Sequence, residues 1–299
     1  MSVEQQEYQM KAIVTFDSWD RFFFSVADYR KILSLDEGLR KRVAECHIYM
    51  IGKRPRLYVE PSSIIIHSNG FDARFIFRKG NSTLTLSDQI SWEELNLTPR
   101  EIIEVRASKF PHNYLELIGP SGAIQDTIFP SLNAQAIEHA PEWIKDLEIV
   151  YIGKGGNRDS GTRSAIDRLE AHSTLQRILA EVTREEPENE LFIVLWQFTP
   201  PKYMFPLPSN VKLPSAQEAK RQMLEISSKK ISPETEMAFI EGALISYFKP
   251  WYNEMLKESF PHPQMKIIRE LLEMGLYRGL YMYRYGSSGN SNLFSVSEA

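Results

Sequence analysis

The chain has 299 residues, 42% of them hydrophobic, and its 35 basic against 39 acidic side chains leave a formal charge of −4. That length buries a sizeable core in one or two domains, and that charge gives no global attraction for a polyanion, so nucleic acid must be held by a local basic surface. Cys46 is the one cysteine, which excludes an intrachain disulfide, a cysteine zinc site and an iron–sulfur cluster. No stretch has the length of a membrane span, and the polar, acidic opening of residues 1–7 is unlike a signal peptide. The expectation is a cytoplasmic protein with no membrane partner.

In chain order, residues 1–127 read as a strand-rich domain. A strand is expected at 8–16, then a helix over 20–35 that carries Phe22, Phe23 and Phe24. A second helix opens at Arg40, Lys41 and Arg42 and runs to Met50. Short strands follow at 57–60, 63–67, 73–78, 83–86, 102–107 and 114–118, punctuated by the turn signals Asn69-Gly70 and Gly80-Asn81. Arg40, Lys41, Arg42, Lys53, Arg54 and Arg56 form the densest basic cluster of this half. It is either ordinary solvated surface or a patch that tracks a phosphate backbone.

In the second half, residues 147–153 read as a short buried strand that ends in Tyr151-Ile152-Gly153, and Lys154-Gly155-Gly156-Asn157 turns the chain off it. A helix is expected over 164–180, with Ala165, Leu169, Leu175 and Leu179 at helical spacing and Arg168 and His172 on the same stripe. Residues 191–198 form a further strand, and the prolines of 199–214 predict a loop without regular structure. Helices follow at 216–230 and 233–248. The latter has Ser232 as its cap, Pro233 at the first helical position and an apolar face of Met237, Ile240, Leu244 and Phe248. Glu241 sits within that face. A closing helix at 265–274 and a tyrosine-rich strand at 276–285 complete the chain.

Tyr151, Arg168, His172 and Glu241 are polar groups where hydrophobic patterning places leucine, and a buried cation or carboxylate calls for a partner or a ligand. Together with Phe248-Lys249-Pro250-Trp251-Tyr252-Asn253, this order of residues resembles the GIY-YIG endonuclease family over residues 128–256. In that family a Tyr-Ile-Gly strand, a helix with Arg and His, and a helix with a metal-binding Glu are followed by an Asn. By position these are Tyr151, Arg168, His172, Glu241 and Asn253. The resemblance implies an α+β protein: a strand-rich N-terminal domain (1–127), a small α/β domain with a three-stranded antiparallel sheet flanked by helices (128–256), and an extension (257–299).

Two features depart from the family. The first motif, Gly-Ile-Tyr, has no counterpart shortly before Tyr151, and the strand expected at 123–129 takes its place, with 133–146 as a helical excursion. The loop between Gly153 and Arg168 is also long and contains Arg158 and Arg163, which with Lys154 offer a basic surface to a phosphate backbone. The implied chemistry is phosphodiester hydrolysis. Glu241 holds Mg²⁺ or Mn²⁺, Arg168 grips phosphate oxygens, Tyr151 is the candidate base with its proton affinity lowered by nearby cations, His172 relays a proton and Asn253 fixes geometry. DNA is the expected partner and RNA is not excluded. Two alternatives stand beside a DNA endonuclease: a nucleic-acid-binding protein without turnover, and an interaction module in which Arg168 and Glu241 pair with each other.

Overall fold

The computed structural model describes residues 12–27, 29–93, 95, 97, 101–132, 134, 137, 140–155, 165–170, 173–207, 212–262, 264–273, 281–283 and 293–295. It is an α+β protein built on antiparallel sheets. The central sheet has four strands in the order Glu148–Lys154, Ile48–Pro55, Asn189–Phe198, Ser18–Ser25, with every neighbouring pair antiparallel. Helices cover both faces. Against one lie Ala165, Leu169, Leu175, Ile178 and Val182, in a core with Tyr49, Ile51, Val150, Ile193 and Leu195. Against the other lie Met237, Ile240, Leu244 and Ile245, with Ile48, Met50, Ile152 and Val194.

Two expected helices of the first half give way to strands because this sheet is buried on both faces. Phe22 and Phe24 point into one core while Phe23 packs against the other, so the run is a strand, Ser18–Ser25, and helix begins only at Tyr29–Leu35. A continuous apolar run is how a doubly covered strand looks. Likewise the helix at Arg40 stops at Ala44, and Ile48–Pro55 is the second-innermost strand of the sheet. The proline-rich 199–214 also holds a short strand, Lys202–Met204, paired with Ile13–Thr15.

The boundary expected at 127/128 does not hold, since strands from both sides of it share the central sheet. Residues 56–147 are instead an insertion between two adjacent strands. The insertion has its own core of Leu57, Phe71, Phe75, Phe77, Trp92, Leu115, Leu117 and Ile144, among others. Its strands form two sheets: one of Leu57–Val59, Ile65–His67, Gly70–Lys79 and Ser82–Ser91, the other of Glu104–Ala107, Leu115–Ile118 and Ile124–Ile128. Ile124–Ile128 therefore does not stand beside Tyr151; it is bonded to Leu115–Ile118.

The helix Pro233–Phe248 has the expected cap, with the Ser232 hydroxyl accepting Thr235 N–H at 3.1 Å. It ends at Lys249 in the left-handed region, φ 47°. From there the chain turns back along the open edge of Glu148–Lys154. Tyr252 N–H donates to Val150 O at 3.0 Å, and the Asn253 amide does the work of a further strand residue. Its Oδ1 accepts Ile152 N–H at 2.9 Å and its Nδ2 donates to Ile152 O at 2.8 Å. The two bonds satisfy both backbone groups of a fully buried residue. Asn253→Ala leaves them unpaired and is expected to destabilise the fold by about 1–3 kcal/mol. The check is a lower urea midpoint at unchanged m-value; an unchanged midpoint refutes it.

Candidate active site

The site lies beside a bulge. Ile149 pairs with Gly52 and Tyr151 with Ile51, so Val150 is an extra residue on the edge strand. Regular alternation would send Val150 and Tyr151 to opposite faces. With the bulge both join the same core, and Ile152 goes to the other. Tyr151 pairs with Ile51 and so shares the face of Tyr49 two residues along, and the two rings meet with centroids 6.0 Å apart.

Gly153 faces Tyr49 across the pairing. A Cβ at Gly153 would come within 2.5 Å of the Tyr49 hydroxyl, so glycine here leaves room for the phenol ring rather than for a turn. Tyr49 is fully buried and Tyr151 is half-buried. Sequence reading missed Tyr49. The signal was His47-Ile48-Tyr49 ahead of an apolar run, and it lay a hundred residues from the strand it pairs with.

Beyond Gly153, the Lys154 Nζ lies 3.5 Å from Oε2 of Glu241, whose side chain is 20% exposed. Burial raises the Glu241 pKa above the ordinary carboxylate value, opposed by the positive charges of Lys154 and, at longer range, Arg168. The phenols feel the same groups. Burial pushes Tyr49 up strongly, with the neighbouring Tyr151 adding to it and the charge of Arg168 opposing. Burial also raises Tyr151, contact with the Tyr49 hydroxyl pulls it down, and the charges of Glu241 and Arg168 act in opposite senses. The expectation that cations lower the Tyr151 proton affinity is thus reversed in the free protein, because desolvation outweighs them.

Arg168 lies on the helix Ala165–Glu170, where Ala165 and Leu169 are buried and Arg168 is exposed. It is therefore not on the apolar stripe; the buried positions are four apart and Arg168 falls beside them, facing out. The cation in contact with Glu241 is Lys154 and not Arg168, so a closed Arg168–Glu241 bridge is not what the fold contains. The expected helix over 164–180 is described as two, Ala165–Glu170 and Ser173–Glu185. His172, Arg158 and Arg163 lie outside the described residues. Gly155 N–H donates to His47 O at 2.7 Å and Ala165 N–H to Cys46 O at 3.3 Å, which fixes the described residues on either side of 156–164.

The basic cluster of the first half is largely committed elsewhere. Arg42 pairs with Asp20 at 2.6 Å and Lys41 with Glu37 at 3.0 Å, while Arg40 is exposed on the same helix. Lys53 is held by Glu186 at 2.7 Å and Glu148 at 3.5 Å, and Arg56 donates to Asn189 O at 3.3 Å. Arg54 is 4% exposed, donates to the carbonyl of Ser131, and lies over the rings of Phe23 and Phe192 at 5.2 and 4.7 Å; burial lowers its pKa to about 10. Arg54 ties the insertion to the sheet, the other paired members have their partners outside it, and the cluster does not form one open phosphate track.

A metal ion held by one carboxylate with water and phosphate as its other ligands fits Glu241, which is accessible, charged only at a cost in this environment, and surrounded by groups suited to anions. Among the described residues no three His, Cys, Asp or Glu side chains gather as a metal cage. No protein-family model, no curated protein and no solved structure matches the chain.

Because the folded state binds the Glu241 proton more tightly than the unfolded chain does, this carboxylate weakens the fold as pH rises from the ordinary glutamate range through its raised value. Glu241→Gln removes that term. The variant should melt at or above the wild-type temperature near neutral pH, and the difference should vanish in acid. A clear loss of stability at neutral pH would instead assign Glu241 to a structural ion pair with Lys154.

Proposed function

We propose that the chain is a metal-dependent endonuclease of the GIY-YIG kind that hydrolyses phosphodiester bonds of DNA. The observation that carries this reading is the meeting of Tyr49, Tyr151, Lys154, Arg168 and Glu241 around one end of the edge strand. Ile48-Tyr49 on one strand and Tyr151-Ile152-Gly153 on its antiparallel neighbour supply the two motif strands, with a long insertion in place of a short connection.

Hydrolysis of a phosphodiester joins a water oxygen to phosphorus and breaks the bond to the 3′ oxygen. The reaction needs a proton acceptor for the water, neutralisation of charge on the phosphoryl oxygens, and support for the departing oxygen. Arg168, exposed and forked, binds non-bridging phosphate oxygens. Lys154 gives up part of its contact with Glu241 to the same phosphate. Glu241 would hold Mg²⁺ or Mn²⁺, which would supply positive charge to offset that growing on the phosphate.

Tyr151 receives the water proton after losing its own phenolic proton to solvent, a deprotonation that the charge of Arg168 favours against the desolvation that raises its proton affinity. The Tyr49 hydroxyl beside it favours the phenolate of Tyr151, the only one of the two phenols with access to solvent. Asn253 fixes the edge strand from which Tyr151 projects. The Lys154–Glu241 contact competes with a metal ion, which is the specific observation favouring a DNA-binding protein without turnover.

Purified protein incubated with supercoiled plasmid and Mg²⁺ or Mn²⁺ decides between the two. The expected result is nicking that chelator stops, that Glu241→Ala abolishes, and that Arg168→Ala and Tyr151→Phe each reduce by about 10²–10³-fold. Plasmid retained but never cut supports the binding reading, and cutting by Glu241→Ala at the wild-type rate removes the catalytic assignment.

A further inference from the structure

Glu241 is followed on its own helix by Leu244, Tyr247 and Phe248, which form part of the wall of a second opening. This cleft of about 930 Å³ lies on the Met50 and Val194 face of the central sheet, roofed by Lys79, Leu132 and Trp143 of the insertion. The cleft-lining Leu244 and Phe248 lie three and seven residues beyond Glu241, an axial rise of about 4.5 to about 10 Å at 1.5 Å per residue. Stacked nucleotides are spaced by about 3.4 Å per strand, so that rise spans about one to three bases.

The walls are aromatic and reachable. Tyr247 and Phe248 are 53% and 40% exposed and meet edge to face at 4.8 Å, and Trp143 is 37% exposed. Such apolar surface, left open on the same helix as a catalytic carboxylate, is unusual for a lone folded chain. Cations accompany these rings: Lys79 Nζ lies 5.1 Å from the centre of Trp143, and the Arg21 guanidinium 5.7 Å from that of Trp196. The acids at the cleft are Asp146, Glu148, Glu186 and Glu188; Lys53 holds Glu148 and Glu186, and Glu188 accepts the Gly80 N–H at 3.3 Å.

Flat rings flanked by positive charge suit a ligand that is itself a flat ring joined to phosphate. A lipid or an apolar peptide would leave the cations without a counterpart. We propose that this cleft takes an unstacked base of the strand being cut, a few nucleotides from the scissile phosphate. The proposal rests on the nuclease reading for its substrate and extends it by locating where single-stranded character is required. The insertion supplies one wall and the helix of Glu241 the other, so substrate binding bridges the two.

The test is fluorescence anisotropy of a short fluorescein-labelled oligothymidine with full-length protein in chelator, where no cutting intervenes. Wild type is expected to bind with quenching of tryptophan emission. Trp143→Ala and Phe248→Ala, both at exposed positions, should each weaken binding about fivefold to hundredfold, the range found per stacked base. Trp19→Ala, 76% exposed and outside the cleft, is the control and should bind as wild type.

Equal affinity in the two cleft variants overturns the proposal, as does an equal loss in the control. If plasmid is nicked in Mg²⁺ but the oligonucleotide fails to bind, the cleft assignment falls and the nuclease reading stands. If the oligonucleotide binds with the expected variant pattern and nothing is cut, the cleft stands and the nuclease reading falls.

Discussion

Ile48–Pro55 is hydrogen-bonded along both edges, to Glu148–Lys154 on one side and to Asn189–Phe198 on the other, and the positions of the site residues follow from those ladders. The first ladder sets Tyr49 opposite Gly153 and runs regularly back to Tyr151, two residues earlier, so both phenols share one face; the extra residue at Val150 interrupts the register only beyond Tyr151. Asn253 then closes the outer edge of the bulged strand, which would otherwise be an exposed edge with two buried backbone groups unpaired. Geometry in this part of the molecule is fixed by backbone pairing, and the charged side chains are added to a frame that does not depend on them.

Those charged side chains are held under tension. Glu241 keeps an ionisable carboxyl between Ile240 and Gly242, both fully or nearly buried, and burial is the largest influence on its proton affinity. An ion pair serving stability alone is better replaced by apolar residues of similar size. Arg54 shows the contrasting case. It is deeply buried too, yet its guanidinium is used up by the carbonyl of Ser131 and two aromatic faces, and it fastens the insertion where the strand leaves the sheet. Of these two charges, Glu241 keeps partial access to solvent, while Arg54 is a fastening.

The C-terminal half was largely legible because its signals are local. The Ser232 cap, Pro233 and the periodicity of Met237, Ile240 and Leu244 define a helix within sixteen residues, and the structure places it at Pro233–Phe248 as expected. Phe248 departs from that face and is exposed. The first half was read less well because its decisive contacts are distant. Phe22, Phe23 and Phe24 are helical or extended depending on what covers them, and both coverings come from residues beyond 160. Arg40 to Arg42 and Lys53 to Arg56 form one cluster along the chain, while in space their acids come from Asp20, Glu37, Glu148 and Glu186. Tyr49 could not be linked to Tyr151 by spacing at all.

The insertion between two neighbouring strands also bears on how the chain reaches its native state. Joining Pro55 to Glu148 through ninety-odd disordered residues, in place of a tight hairpin, costs about 3 kcal/mol more at roughly 0.6 kcal/mol per doubling of loop length. Once the core around Phe75 and Leu117 has formed, the inserted unit no longer behaves as a slack loop, and its two ends arrive together. A core of its own in the insertion thus shortens the effective loop that the pairing of Tyr49 with Gly153 has to close.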